Sequence, residues 1–219
     1  MKNYTLFLLS AVLLQAGVSY ANTNRTPLHC RMGEVTWVSG KVELERRSAI
    51  ITPVSGTKIC RGDKLRTALG AVTEIKFRDG TKVTVGKDSE FVIRDFRINT
   101  RKPNVALFEL IKGAFRSVTG TITKRRNRFE VTTRAATIGI RGTEFWGGYG
   151  LTPDGAFDVV MLEGRGVYVK NARGQVELDQ VGLGTTIKEG EAPTVPKKWG
   201  EEKLKRALET LAPDTMARN

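Results

Sequence analysis

Few side chains in this sequence have the types and spacing that chemistry needs. His29 is the single histidine, so a Ser-His-Asp or Cys-His arrangement would have to use it. It lies in the N-terminal segment, ahead of the first strand-like run. Cys30 and Cys60 are the only cysteines, and neither has a second cysteine at chelating spacing, which argues against a metal site. There is no Gly-Xaa-Ser-Xaa-Gly elbow, no phosphate loop ending in Gly-Lys-Ser/Thr and no Asp-rich calcium loop. Gly139-Ile140-Arg141-Gly142 has the glycines of a phosphate loop without the spacing or the helix pattern that should follow, and reads better as a tight β turn. Asp63 and Asp79 each adjoin a glycine, the usual company of a turn aspartate. A glycosidase would need two acids ~5–10 Å apart in a cleft. The expectation is a protein without catalytic residues, metal or cofactor.

Two features remain. In an oxidising compartment Cys30 and Cys60 have one intramolecular pairing, closing a loop of ~30 residues that would stabilise the fold by ~3–4 kcal/mol. Two buried free thiols are the alternative. The second feature is charge. Between Leu110 and Gly142 stand eight basic residues, Lys112, Arg116, Lys124, Arg125, Arg126, Arg128, Arg134 and Arg141, against one acid, Glu130. Lys124 to Arg128 falls between two strand-like runs and reads as a hairpin tip. It is either a solvated loop or a contact for lipopolysaccharide, acidic glycans or anionic headgroups. Lys112, Arg116, Lys124, Arg125, Arg126 and Arg128 form the candidate anion-binding patch. Nucleic acid is not expected as a partner, because the patch lacks interleaved aromatics for base stacking.

The elements that would hold these residues are mostly strands. Past residue 32 apolar and polar residues alternate, with glycine every eight to twelve residues or so, the pattern of many short strands joined by tight turns. Glu74-Ile75-Lys76-Phe77 runs through Asp79-Gly80 into Val83-Thr84-Val85, a strong hairpin signal. Helical spacing appears only at the end, where Leu204, Ala207, Leu208 and Leu211 share one face. Glu201 and Glu202 precede Lys205 and Arg206 by four residues, the favoured order for ion pairs. The expected role of this helix is a cap over the open end of the β domain, with partner docking as the alternative. The fold class expected is all-β, a solenoid-like or sandwich-like domain of many short strands with a short C-terminal amphipathic helix.

The first residues read as an export signal: Lys2, an apolar run from Leu6 to Leu14 and the small residues Ser19 and Ala21 before a cleavage point. That run is too short to span a bilayer, which takes ~20 apolar residues, and no later stretch is long enough, so no transmembrane segment is expected in the mature chain. The divisions expected are 1–21 signal peptide, 22–32 N-terminal segment, 33–188 β domain, and 189–219 linker and helix. Of the 219 residues 40% are hydrophobic and the formal charge is +13, so the chain has enough apolar content for a core and is strongly basic.

Four motifs in order resemble the FecR domain family. Arg61-Gly62-Asp63-Lys64-Leu65-Arg66-Thr67 resembles its G-D-x-L-x-T turn and strand. Ala71 to Phe77 followed by Asp79-Gly80-Thr81 is similar to its apolar-x-F-x-D-G hairpin. Ala136 to Phe145, with Gly139, Arg141, Gly142 and Thr143, looks like its A-x-x-G-V-R-G-T-x-F segment. Leu162-Glu163-Gly164 with Val167 resembles the later strand pair. The match spans roughly residues 33 to 188. On the residues themselves, Gly62 and Gly142 supply backbone freedom, Asp63 and Thr143 can bond nearby backbone, and Arg141 can clamp a carboxylate. The resemblance implies an all-β domain outside the cytoplasm. Its best-known members are membrane-anchored regulators that relay iron-siderophore transport signals to a sigma factor, with a cytoplasmic segment and a transmembrane helix ahead of this domain. Here a signal-like start stands in that place.

The function expected is therefore a non-catalytic secreted or periplasmic module, binding an extracytoplasmic protein partner through a strand edge or the helix in a signalling-accessory role. The alternative is a binder of anionic envelope components.

Overall fold

The computed structural model describes residues 30–99, 101–122 and 127–214. The expected signal peptide, His29, and Lys124, Arg125 and Arg126 lie outside the described residues. In chain order the elements are β1 (Gly33–Ser39), β2 (Val42–Arg46), β3 (Ala49–Ile51), β4 (Lys58–Ile59), β5 (Lys64–Thr67), β6 (Val72–Phe77), β7 (Lys82–Val85), β8 (Glu90–Arg97) and β9 (Val105–Lys112). There follow β10 (Ala114–Val118), β11 (Arg128–Thr132), β12 (Thr137–Ile140), β13 (Thr143–Tyr149), β14 (Phe157–Gly164), β15 (Val167–Asn171), β16 (Gly174–Leu178), β17 (Leu183–Ile187), β18 (Lys197–Lys198) and α1 (Glu201–Glu209).

The strands form two nine-stranded sheets. One has the order β18-β17-β14-β13-β10-β7-β6-β1-β4, the other β16-β15-β12-β11-β9-β8-β5-β2-β3. The chain crosses between sheets every one or two strands while advancing from one side to the other, so the fold is an all-β sandwich. Its pairings are antiparallel apart from β9 with β11, which run parallel.

Alternation explains the core. In β9 the pattern Val105 to Lys112 buries Ala106, Phe108 and Leu110 and leaves their neighbours half-covered. Every phenylalanine from Phe77 onward is buried. Phe96 stacks on Phe77 at 4.7 Å, and the series continues through Phe108, Phe91, Phe115 and Phe145 at centroid separations of 5.1 to 5.6 Å. Such offset and edge-on pairs add ~0.5–1.5 kcal/mol each beyond area burial.

The helix does not cap the open end of the sandwich. It lies on the outer face of the first sheet, where Ala207, Leu204 and Leu211 pack with Trp199 against Ala114, Trp146, Leu151 and Val160. Trp146 and Val160 point outward from β13 and β14, so those strands are apolar on both faces and need a second layer. Leu208, expected on the apolar face, is 42% exposed. Arg206 turns from the helix to donate to the Leu151 carbonyl at 2.6 Å.

Candidate functional site

The motif residues resolve first into turn locks. Cys30 and Cys60 form a disulfide. Three residues on, the fully buried Asp63 carboxylate accepts the Cys60 amide at 2.8 Å. The Arg46 fork holds the same carboxylate, with Nε 2.9 Å from Oδ1 and Nη2 2.7 Å from Oδ2, and Nη2 also reaches the Lys58 carbonyl at 2.7 Å. The bond from Asp63 raises the Arg46 pKa, outweighing the opposing effect of burial. Gly62 sits beside this lock at φ +85°. Arg46, a residue the sequence reading passed over, is thus what the Gly-Asp motif holds.

The other motifs behave alike. Asp79 takes the Thr81 amide and hydroxyl, each at 2.8 Å, closing the hairpin at Gly80, and Thr81 Oγ1 accepts the Gly120 amide at 3.0 Å. Thr67 donates to the Gly86 carbonyl at 2.5 Å and accepts the Ser89 amide at 2.9 Å, pinning a crossing between the sheets. Thr143 donates to the Gly166 carbonyl at 2.8 Å and accepts the Gly166 amide at 3.1 Å. Phe77 and Phe145 are core. The turn expected at Gly139 begins later: Gly139 is inside β12, and Gly142 is the residue at positive φ, +69°. Gly139 is required for another reason. A Cβ there would stand 1.9 Å from Cζ of Tyr168, which lies across it. Arg141 does clamp a carboxylate, that of Glu177 at 3.0 Å, on the surface. Gly164, at φ +109°, passes the Gly142 carbonyl so closely that a Cβ would lie 2.4 Å from it.

The described members of the basic patch each pair with an acid, two of them with one from outside the window counted. Lys112 bonds Asp88 at 2.7 Å, Arg116 bonds Glu144 at 2.7 Å, and Arg128 bonds Glu130 at 2.7 Å. They also divide between the sheets, Arg116 on β10 and Lys112 and Arg128 at the ends of β9 and β11. Counting charge along a window missed Asp88 and Glu144, because cross-strand neighbours are remote in sequence.

A different basic cluster forms where the sequence shows none. At the disulfide end a cavity of about 1010 Å³ is lined by Arg31, Arg46, Arg47, Arg61, Arg78 and Arg97. Two acids, Asp63 and Asp95, share that lining. Its apolar lining is Ile98, 37% exposed, with the edges of the nearly buried Met32 and Phe96. The sequence signal was recurrence: Arg31, Arg46, Arg61, Arg78 and Arg97 follow one another at intervals of 15 to 19 residues, about the length of two strands with their turns. Among the described residues no group of three or more His, Cys, Asp and Glu is placed to hold a metal ion, and no helix is long and apolar enough to cross a membrane.

Residues 63–165 match the family model described as FecR protein. Two crystal structures of an anti-sigma factor candidate from Parabacteroides distasonis ATCC 8503 have a similar fold, each at 17% identity over 66% of this chain. Their TM-scores are 0.53 and 0.52, and the matches cover 63% and 64% of those chains, so this chain spans less than two thirds of their length. No curated protein matches the chain.

Proposed function

We propose that this chain, whose residues 63–165 are of FecR type, is a non-catalytic extracytoplasmic module that binds a protein partner in a signalling-accessory role. The fold shared with proteins described as anti-sigma factor candidates supports the regulatory part of this reading. One observation carries the binding part. The second sheet ends in β3, a strand paired on one side only. It leaves Ile50 56% exposed, with Val54 63% exposed in the loop that follows. An unpaired edge with apolar side chains is a template for strand addition by another chain. The opposite edge of the first sheet is β18, two exposed lysines, which discourages such pairing. The C-terminal helix is less available, since its apolar face is spent on the sheet.

The test is a photo-crosslinking residue at position 50 in cells. A specific protein adduct, lost when Pro replaces Thr52 and so removes an N–H that faces away from β2, is the expected result. If no protein is captured, or capture is equal from an exposed position on β16, the edge reading falls.

A second reading, binding of anionic envelope components, is favoured by one specific observation: the arginine-lined cavity at the disulfide end.

A further inference from the structure

We infer that the cavity at the disulfide end is a binding site for a phosphate-bearing ligand, with the arginine rim holding the phosphate and an apolar floor, Ile98 with the edges of Met32 and Phe96, receiving the less polar part of the molecule. The inference deepens the anionic reading and does not depend on the strand-edge reading.

Charge comes first. Six arginines and two aspartates line the cavity, a net of +4. The aspartates do not cancel the rim. Asp63 is held by Arg46, and Asp95 bonds Arg97 Nε at 2.9 Å. Arg31, Arg61 and Arg78 have no acidic partner among the described residues. This contrasts with Lys112, Arg116 and Arg128, each paired. Residues 22–29, which lead into Cys30, read Asn-Thr-Asn-Arg-Thr-Pro-Leu-His and bring no carboxylate either. Like charges gathered in a concavity repel one another, and an anion from outside the chain would offset the repulsion among Arg31, Arg61 and Arg78.

Rigidity comes second. The disulfide fixes Cys30 next to Arg31, and Cys60 next to Arg61. Arg46 is locked by Asp63, and Arg47 is held beside it at φ +46°, with Ser48 at +69°. Two consecutive non-glycine residues in the left-handed region cost conformational energy and set where Arg47 stands. A second concavity of about 740 Å³ shares Cys30, Arg31 and Arg78, so these two arginines are reachable from both sides.

Ligand class comes third. Planar guanidinium forks match phosphate oxygens in pairs, which is why arginine rather than lysine collects at such sites. The volume lies at the upper end for small-molecule sites and exceeds what one phosphate needs. A phosphate ester carrying an apolar or sugar portion fits both the rim and the floor. The ester can be a membrane headgroup or a free phosphate compound; the chemistry at the rim is the same.

The experiment uses the full mature chain. Titration calorimetry at low salt is run with inorganic pyrophosphate, and flotation with phosphatidylcholine vesicles with and without phosphatidic acid. The variants are Arg31→Ser/Arg78→Ser, and as a control Arg173→Ser/Lys197→Ser/Lys198→Ser, which removes more charge at exposed positions that do not line the cavity. Circular dichroism melts confirm that both fold. The expected result is binding to at least one phosphate probe, weakened about tenfold per arginine removed from the rim and changed little by the control. Pyrophosphate binding alone identifies a free phosphate as the source; phosphatidic acid binding alone identifies a headgroup. Equal losses in the two variants overturn the cavity site while leaving a general anionic reading intact. Binding of citrate or a polyglutamate peptide as tight as pyrophosphate overturns the phosphate class. No binding of any probe by the wild type overturns both readings.

Discussion

Lys203 reaches from α1 to the buried carboxylate of Asp158 on β14, with Nζ 2.7 Å from Oδ1 and 4.2 Å from the centre of the Trp199 ring. Thr186 donates to the same oxygen at 2.5 Å. Together with Trp146, whose indole donates to Thr210 at 3.1 Å, this contact fixes the helix on the outer sheet face. Burying a carboxylate is costly unless it is paired, so the ion pair sets where the helix docks more than how stable it is.

Removing one partner should therefore hurt more than removing both. Lys203→Met leaves Asp158 buried without its cation and is expected to cost on the order of 2–3 kcal/mol. That is below the ~3–5 of a fully buried pair, because the lysine side chain is 31% exposed. Asp158→Leu/Lys203→Met should recover most of the loss. Urea unfolding followed by tryptophan fluorescence reads both; equal instability of single and double variants would refute the account.

The Arg46–Asp63 lock predicts a larger effect at the disulfide end. Arg46→Met strands a fully buried carboxylate and should cost ~3–5 kcal/mol. The pH dependence follows from the raised pKa of Arg46. Its contribution is fully present below the unfolded arginine pKa and is lost only as pH rises through the still higher folded one. The destabilisation should thus be the same at about pH 6 and about pH 9. A difference that shrinks across that window would show that Arg46 is not the partner that matters.

Free-thiol titration of the denatured, unreduced protein should find none. Reduction should lower stability by ~3–4 kcal/mol, from the 30-residue separation of Cys30 and Cys60. It should also loosen Arg31 and Arg61. A melting temperature indifferent to reductant would remove the disulfide from the account.

Two glycines separate backbone strain from crowding. Gly142→Val places a β-branched residue at φ +69° and should cost ~1–3 kcal/mol, with no partner substitution able to restore it. Gly139→Ala drives a methyl into Tyr168 and should be rescued by Tyr168→Ala. Thermal melts of the two single variants, and of each combined with Tyr168→Ala, decide. Rescue of Gly142→Val by Tyr168→Ala, or failure of the double variant to recover, would show the two causes misassigned. Glu144→Gln should cost less than either, because its bond to Arg116 is made by a part-exposed pair.

What could be read along the chain was whatever depends on near neighbours. Alternation declared strands, Asp79-Gly80 declared a hairpin, and the spacing of Leu204, Ala207 and Leu211 declared a helix face, because side-chain periodicity and turn chemistry are local. Two cysteines left one pairing. Tertiary structure alone decided which residues meet across strands. It set Asp88 and Glu144 against a patch that looked unopposed, and laid the helix on Trp146 rather than over the sandwich end. It also gathered arginines from five separate places along the chain around one cavity. Pairing between strands joins residues tens of positions apart, and long-range electrostatics follows that geometry, so no window along the sequence contains it.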